Sequence, residues 1–90
     1  MKNNNEEILL NFKKAGSHLS KVIKMVEAGE YCINTMQQNL AVIGLLKSAH
    51  QKLMENHLNG CFLEAAKTKD PKKETEMIEE ILKVTKLYNK

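Results

Sequence analysis

The sequence predicts an all-α chain of three helices. There is one proline, Pro71, and four glycines in 90 residues. Leu, Lys, Glu, Met and Ala, all strong helix formers, dominate the composition. Apolar residues recur at steps of three and four, and no stretch alternates with period two. Residues 1–90 read as a single domain. A lone chain of this length buries a modest fraction of its surface, so a second copy is the expected source of further core.

The first helix is expected from about Glu6 to Ala28. Ile8, Phe12, Ala15, Leu19, Val22 and Val26 form its apolar seam at steps of 4, 3, 4, 3 and 4. Asn5 is the expected cap, Glu6 and Glu7 suit the positive end of the helix dipole, and Gly29 is the expected stop. The second helix is expected to run unbroken from Tyr31 to Lys67, a stretch without proline. Its seam is Cys32, Met36, Asn39, Ile43, Leu46, His50, Leu53, His57 and Gly60, with Cys61 beside the last. "TKDPKK" then breaks the pattern, with Asp70 as cap and Pro71 at the first position of a third helix ending near Tyr88. That helix sets Met77, Ile78, Ile81, Leu82, Val84 and Leu87 against a side rich in Glu74, Glu76, Glu79, Glu80 and Lys83.

"MKNNNEEILLNFKK" carries charges on both sides of a very short apolar run, which predicts no secretory signal. No stretch approaches the roughly 18 to 20 apolar residues of a membrane span. The expected location is therefore cytoplasmic, where thiols stay reduced and cysteines read better as ligands or redox groups than as staples.

Both cysteines and two of the three histidines lie between Glu30 and Phe62. On a helix turning about 100° per residue, His57 and Cys61 stand one turn apart, roughly 40° round and ~6 Å along, and can reach one ion. Cys32 shares their face within about 20° but lies roughly 37 to 44 Å away along the axis. A second copy packed antiparallel about a twofold near residues 45 and 46 would bring its Cys32 opposite this pair, with Gly44 close to the crossing. Each dimer would then hold two sites of two thiolates and one imidazole. Three soft donors suit Cu(I) first, with Zn(II) where a fourth ligand or water joins. Cysteines and histidines on a seam can also simply be packed there.

"MVEAGEYCINTMQQNLAVIGLLKSAH" followed by "ENHLNGC" resembles the CsoR/RcnR family of metal-sensing transcriptional repressors, over about Leu9 to Cys61. The resemblance implies an all-helical fold without a helix-turn-helix, antiparallel helical-bundle dimers and a dimer of dimers. Cys32, His57 and Cys61 match the ligand set of its copper(I) sensors. Tyr31 matches a tyrosine beside the first cysteine, and Glu76 or Glu80 could match a glutamate on the last helix. Nickel and cobalt relatives tend to carry histidine in place of the second cysteine, so Cys61 favours copper and leaves Ni(II) the lesser alternative. His18 stands in "KKAGSHLSK", where the family usually has glutamine, and reads as a surface or boundary histidine rather than a ligand. His50, near the dimer centre, reads as a packed imidazole.

The net charge of +3 is mild, and all 14 basic residues are lysines. Lysine gives a point charge where arginine would read guanine edges and phosphates bidentately. Lys13 with Lys24 and Lys14 with Lys21 share angles on the first helix, making a basic face that in an average protein only solvates the surface. By resemblance, Lys13, Lys14 and Lys47 fall at or near DNA-contacting positions. Operator DNA is then the expected partner, bound mainly through phosphates. The expected function is a repressor that binds DNA as an apo oligomer and is released by Cu(I). Two rivals stand beside it: a persulfide or thiol sensor of the same family, which would typically lack His57, and a metal-binding oligomer without strong DNA binding. No nucleophile, base and orienting partner assemble into a catalytic site.

Overall fold

The computed structural model describes residues 5–90. These form α1 (Asn5–Glu27), α2 (Cys32–His57), a π turn (Leu58–Phe62), α3 (Leu63–Lys67) and α4 (Pro71–Tyr88), with no strand among the described residues. The backbone divides into two compact units, one ending at Glu55 and the other running from Asn56 to Lys90.

α1 begins at Asn5 itself, so the expected cap is already helical and the capping position falls outside the described residues. Its other end is a Schellman motif. Gly29 adopts φ 68, its N–H donates to the Val26 carbonyl at 3.1 Å, and the Glu30 N–H donates to the Met25 carbonyl at 3.1 Å. The left-handed backbone there is what glycine adopts without a Cβ penalty. Tyr31 then starts α2 by accepting from the Asn34 and Thr35 N–H groups at 3.0 and 3.3 Å.

α1 and α2 pack through Ala15, Val22 and Val42, with Leu45 partly buried against them. Ile8, Ala15, Val22 and Met25 are the buried residues of α1. Phe12, Leu19 and Val26 are exposed, so only half of the expected seam meets α2. The reason is angular: one helix can cover only part of a broad apolar arc, and the buried half lies on the line through Ile8, Ala15 and Val22. On α2 the stripe turned inward is Thr35, Gln38, Val42, Leu45, Ala49 and Lys52, all buried or half-buried.

The seam expected on α2 is a different face, about 100° round the helix. Met36, Ile43, Leu46 and Leu53 all lie on it and remain exposed, at 53%, 39%, 42% and 45%. α2 therefore has two apolar stripes, one satisfied within the chain and one left open.

In the second unit the expected unbroken helix is interrupted. Residues Leu58–Phe62, "LNGCF", form a π turn before α3 resumes. Asn59 and Gly60 are weak helix formers, and their adjacency makes this the place where the α-helical ladder loosens. α3 packs on the π turn and on α4, burying Ala65. It ends with Thr68 Oγ1 donating to the Ala65 carbonyl at 2.6 Å and Lys69 in the left-handed region, φ 54. Asp70 caps α4, its carboxylate accepting from the Lys72 N–H at 3.1 Å, and Pro71 takes the first helical position as expected. Along α4, Met77 and Ile81 are half-buried, while Ile78, Leu82, Val84 and Leu87 are exposed.

Candidate metal centre and nucleic-acid interface

Cys32 is the first residue of α2 and His57 the last. Cys61 lies four residues on, inside the π turn. Both thiols are free and exposed, and the His57 side chain is half-buried. Among the described residues no three Cys, His, Asp or Glu side chains of one chain converge on a point that could hold a metal ion. The chain offers the donors as two separate sets, one thiol at one end of α2 and an imidazole with a thiol at the other.

The π turn changes the geometry of the second set. In an α-helix a step of four residues overshoots a full turn by about 40°. A π turn closes its hydrogen bonds over five residues and winds less per residue, so the angle between His57 and Cys61 departs from the α-helical value. Two thiols and an imidazole would together make a soft candidate donor set.

Tyr31 precedes Cys32 and is exposed at 70%, with its carbonyl committed to the start of α2. Glu76 and Glu80 are exposed on α4. Lys13 and Lys14 are exposed on α1, immediately before the buried Ala15, and Lys47 is exposed on α2 immediately before the half-buried Ser48. None of these lysines belongs to the inward stripes.

Two polar pairs in the α1–α2 interface were not singled out by the spacing of chemistry-bearing residues. Asn11 Nδ2 donates to Ser48 Oγ at 3.0 Å, and His18 Nε2 stands 2.7 Å from Gln38 Oε1. His18, expected as a surface or boundary histidine rather than a ligand, is half-buried at the α1–α2 boundary, its ring nitrogen donating to an amide oxygen. The signal was present: Asn11 and His18 continue the line of Ile8, Ala15, Val22 and Met25 at steps of three and four.

A family model described as metal-sensitive transcriptional repressor matches residues 4–86. The chain belongs to this family. Among curated relatives, the copper-sensing transcriptional repressor CsoR of Mycobacterium ulcerans is 39% identical over 54 residues, covering 60% of this chain and 46% of the relative. The protein of the same name from Bacillus subtilis is 28% identical over 85 residues, 94% of this chain and 81% of that one. The chain thus spans a little under half the length of the mycobacterial relatives it matches. Among solved structures, the Cu(I)-bound copper-sensing repressor CsoR of Geobacillus thermodenitrificans superposes with a TM-score of 0.84 at 27% identity, over 100% of this chain and 94% of that chain. The family fold is therefore shared by the described residues. No helix of the described residues is long and apolar enough to cross a membrane.

Proposed function

We propose that this family member is a copper-responsive transcriptional repressor that holds operator DNA as a metal-free oligomer and releases it when Cu(I) binds between two of its chains. One observation carries this reading: the donors sit at opposite ends of α2, and the face between them, through Met36, Ile43 and Leu46, is open. A second copy laid antiparallel on that face covers the apolar residues and sets Cys32 of one chain beside His57 and Cys61 of the other. The names of the relatives, all copper-sensing repressors, support the same reading.

Cys32, His57 and Cys61 would hold the ion, which supplies a low-coordinate cross-link between two protomers. The residues of the chain do the rest. Tyr31, at the junction before α2, would flank the first thiol. The thiols must give up their protons to ligate, so binding is coupled to pH. Lys13, Lys14 and Lys47 would contact DNA phosphates, and without arginine the affinity would depend steeply on salt, with little guanine readout. Metal and operator then oppose each other through one coupling free energy, and each must weaken the other by the same factor. His57 favours the metal signal over a purely thiol-based one, because it adds a third ligand to the two thiols, whereas the thiol-sensing members of the family typically lack a histidine there.

An electrophoretic mobility shift at moderate salt, on its promoter region with and without Cu(I), tests the reading. A shift by the apo protein that disappears on adding Cu(I) is expected. No shift at any protein concentration would remove the repressor function and leave a metal-binding oligomer.

A further inference from the structure

We infer that the Asn11–Ser48 and His18–Gln38 pairs decide which of the two apolar faces of α2 is taken by α1 of the same chain, and so reserve the other face for a second copy. The inference rests on the assembly proposed above.

The problem these pairs solve is visible on α2. Its inward stripe, with Val42, Leu45 and Ala49, and its open seam, with Met36, Ile43 and Leu46, are neighbouring arcs of similar apolar character. α1 is ambiguous in the same way, since Phe12, Leu19 and Ile23 form an exposed apolar arc beside its buried one. Hydrophobic burial is non-directional. On apolar area alone, α1 could dock on either face of α2, and a partner's α2 could take whichever face was left.

The polar pairs break this degeneracy. Asn11 and His18 are seven residues apart on the inward line of α1, and each meets one polar residue of α2: Ser48 at 3.0 Å and Gln38 at 2.7 Å. The order is antiparallel, the earlier residue of α1 meeting the later residue of α2, with Ala15 and Val42 in the core between them. If α1 moved onto the face of Met36, Ile43 and Leu46, the Asn11–Ser48 and His18–Gln38 hydrogen bonds would be broken, and the polar residues of that face, Asn39 and His50, stand at other positions along and around α2. A polar group partly removed from water is disfavoured when it loses its partner, so the pairs act mainly against wrong arrangements. A single buried polar residue sets register and oligomeric state in coiled coils by the same logic.

The consequence reaches the metal site. Cys32 and the His57–Cys61 pair meet only if a second copy occupies the open seam in the antiparallel sense. An α1 docked on that seam would block the assembly while leaving every ligand in place.

The test replaces both pairs by apolar residues in one full-length variant, Asn11→Leu, Ser48→Ala, His18→Leu and Gln38→Leu, beside a swap variant, His18→Gln with Gln38→His, which keeps a hydrogen bond. Size-exclusion chromatography with light scattering reads the mass, circular dichroism reads helicity, and Cu(I) titration reads the number of tight sites. The expected result is a helical apolar variant that elutes as several species and binds clearly fewer Cu(I) per chain than wild type, with a swap variant of one species and wild-type mass. A single species of wild-type mass from the apolar variant would overturn the inference. So would a mixture from the swap variant, or loss of helicity in the apolar variant, which would make the pairs a requirement of folding rather than a choice of face. The mass measurement needs no metal, so failure of the wild type to bind copper would count against the proposed function and leave this inference standing or falling on the masses.

Discussion

Val42 and Ile43 are consecutive residues of α2 that face different surroundings: Val42 is 4% exposed in the cluster with Ala15 and Val22, whereas Ile43 is 39% exposed on the open seam. Substituting each should therefore do different things. Val42→Ala removes packed methyl groups and should lower stability by about 2 kcal/mol, read by urea denaturation. Ile43→Glu should leave the α1–α2 pair folded while placing a charge where a second chain would lie. Light scattering should find a lower mass for Ile43→Glu and wild-type mass for Val42→Ala.

Gly29 offers a local test of the hairpin. Its φ of 68 closes the Schellman motif at the end of α1, and nothing crowds the place where a side chain would project. Gly29→Ala should cost about 1 kcal/mol from backbone strain alone. The change should appear as a lower melting temperature with unchanged metal stoichiometry.

Much of this was legible in the sequence, and the misses have physical causes. The Asp70 cap, the Pro71 start and the Gly29 stop were readable because they act through local backbone chemistry, whereas Asn5, expected as a cap, is already helical. Cys32, His57 and Cys61 stood out in the sequence as candidate donors because few residue types ligate metal, and the structure of one chain leaves them apart. What periodicity could not assign was the partner of each apolar stripe. A step of three and four marks a buried face without saying whether the chain's own helix or another copy buries it, and so Met36, Ile43 and Leu46 stand open while Val42 and Ala49 are covered. The π turn was missed because a one-residue expansion leaves no break in composition beyond the Asn59–Gly60 pair. The roles of Asn11 and Gln38 were missed because polar residues on an apolar line look like interruptions until their partners are seen.

Ligand replacement should separate the three donors from the residues around them. His57→Ala and Cys61→Ser should each weaken Cu(I) binding by about 100-fold or more, because a soft ion loses one of few donors. Tyr31→Phe should have a much smaller effect. Competition with a chromogenic Cu(I) chelator measures all three, and wild-type affinity in His57→Ala would remove that residue from the site.

Copper affinity should fall as pH is lowered. The sign follows from the ligands: protons and metal compete for the two thiols, so each thiol still protonated in the free protein must lose its proton on binding. Chelator competition across a pH series checks the slope, and a flat profile would contradict thiolate ligation.

The lysines should act on DNA through charge. Lys13→Ala or Lys14→Ala should weaken operator binding by a similar factor for any sequence and reduce the slope of log affinity against log salt by about 0.9 per lost phosphate contact. Fluorescence anisotropy at several salt concentrations reads both quantities. An unchanged slope would place these lysines away from the DNA.

The central claim is that each site is shared between two chains, and subunit complementation tests it most directly. Cys32→Ala leaves one chain with only the imidazole and second thiol, and the double variant His57→Ala with Cys61→Ser leaves another with only Cys32. Neither should bind Cu(I) tightly alone. When the two are co-expressed with different tags and purified as mixed oligomers, one high-affinity Cu(I) per mixed dimer is expected, because one complete set of donors is restored across the interface. No recovery of tight binding in purified mixed oligomers would contradict a site built from two copies.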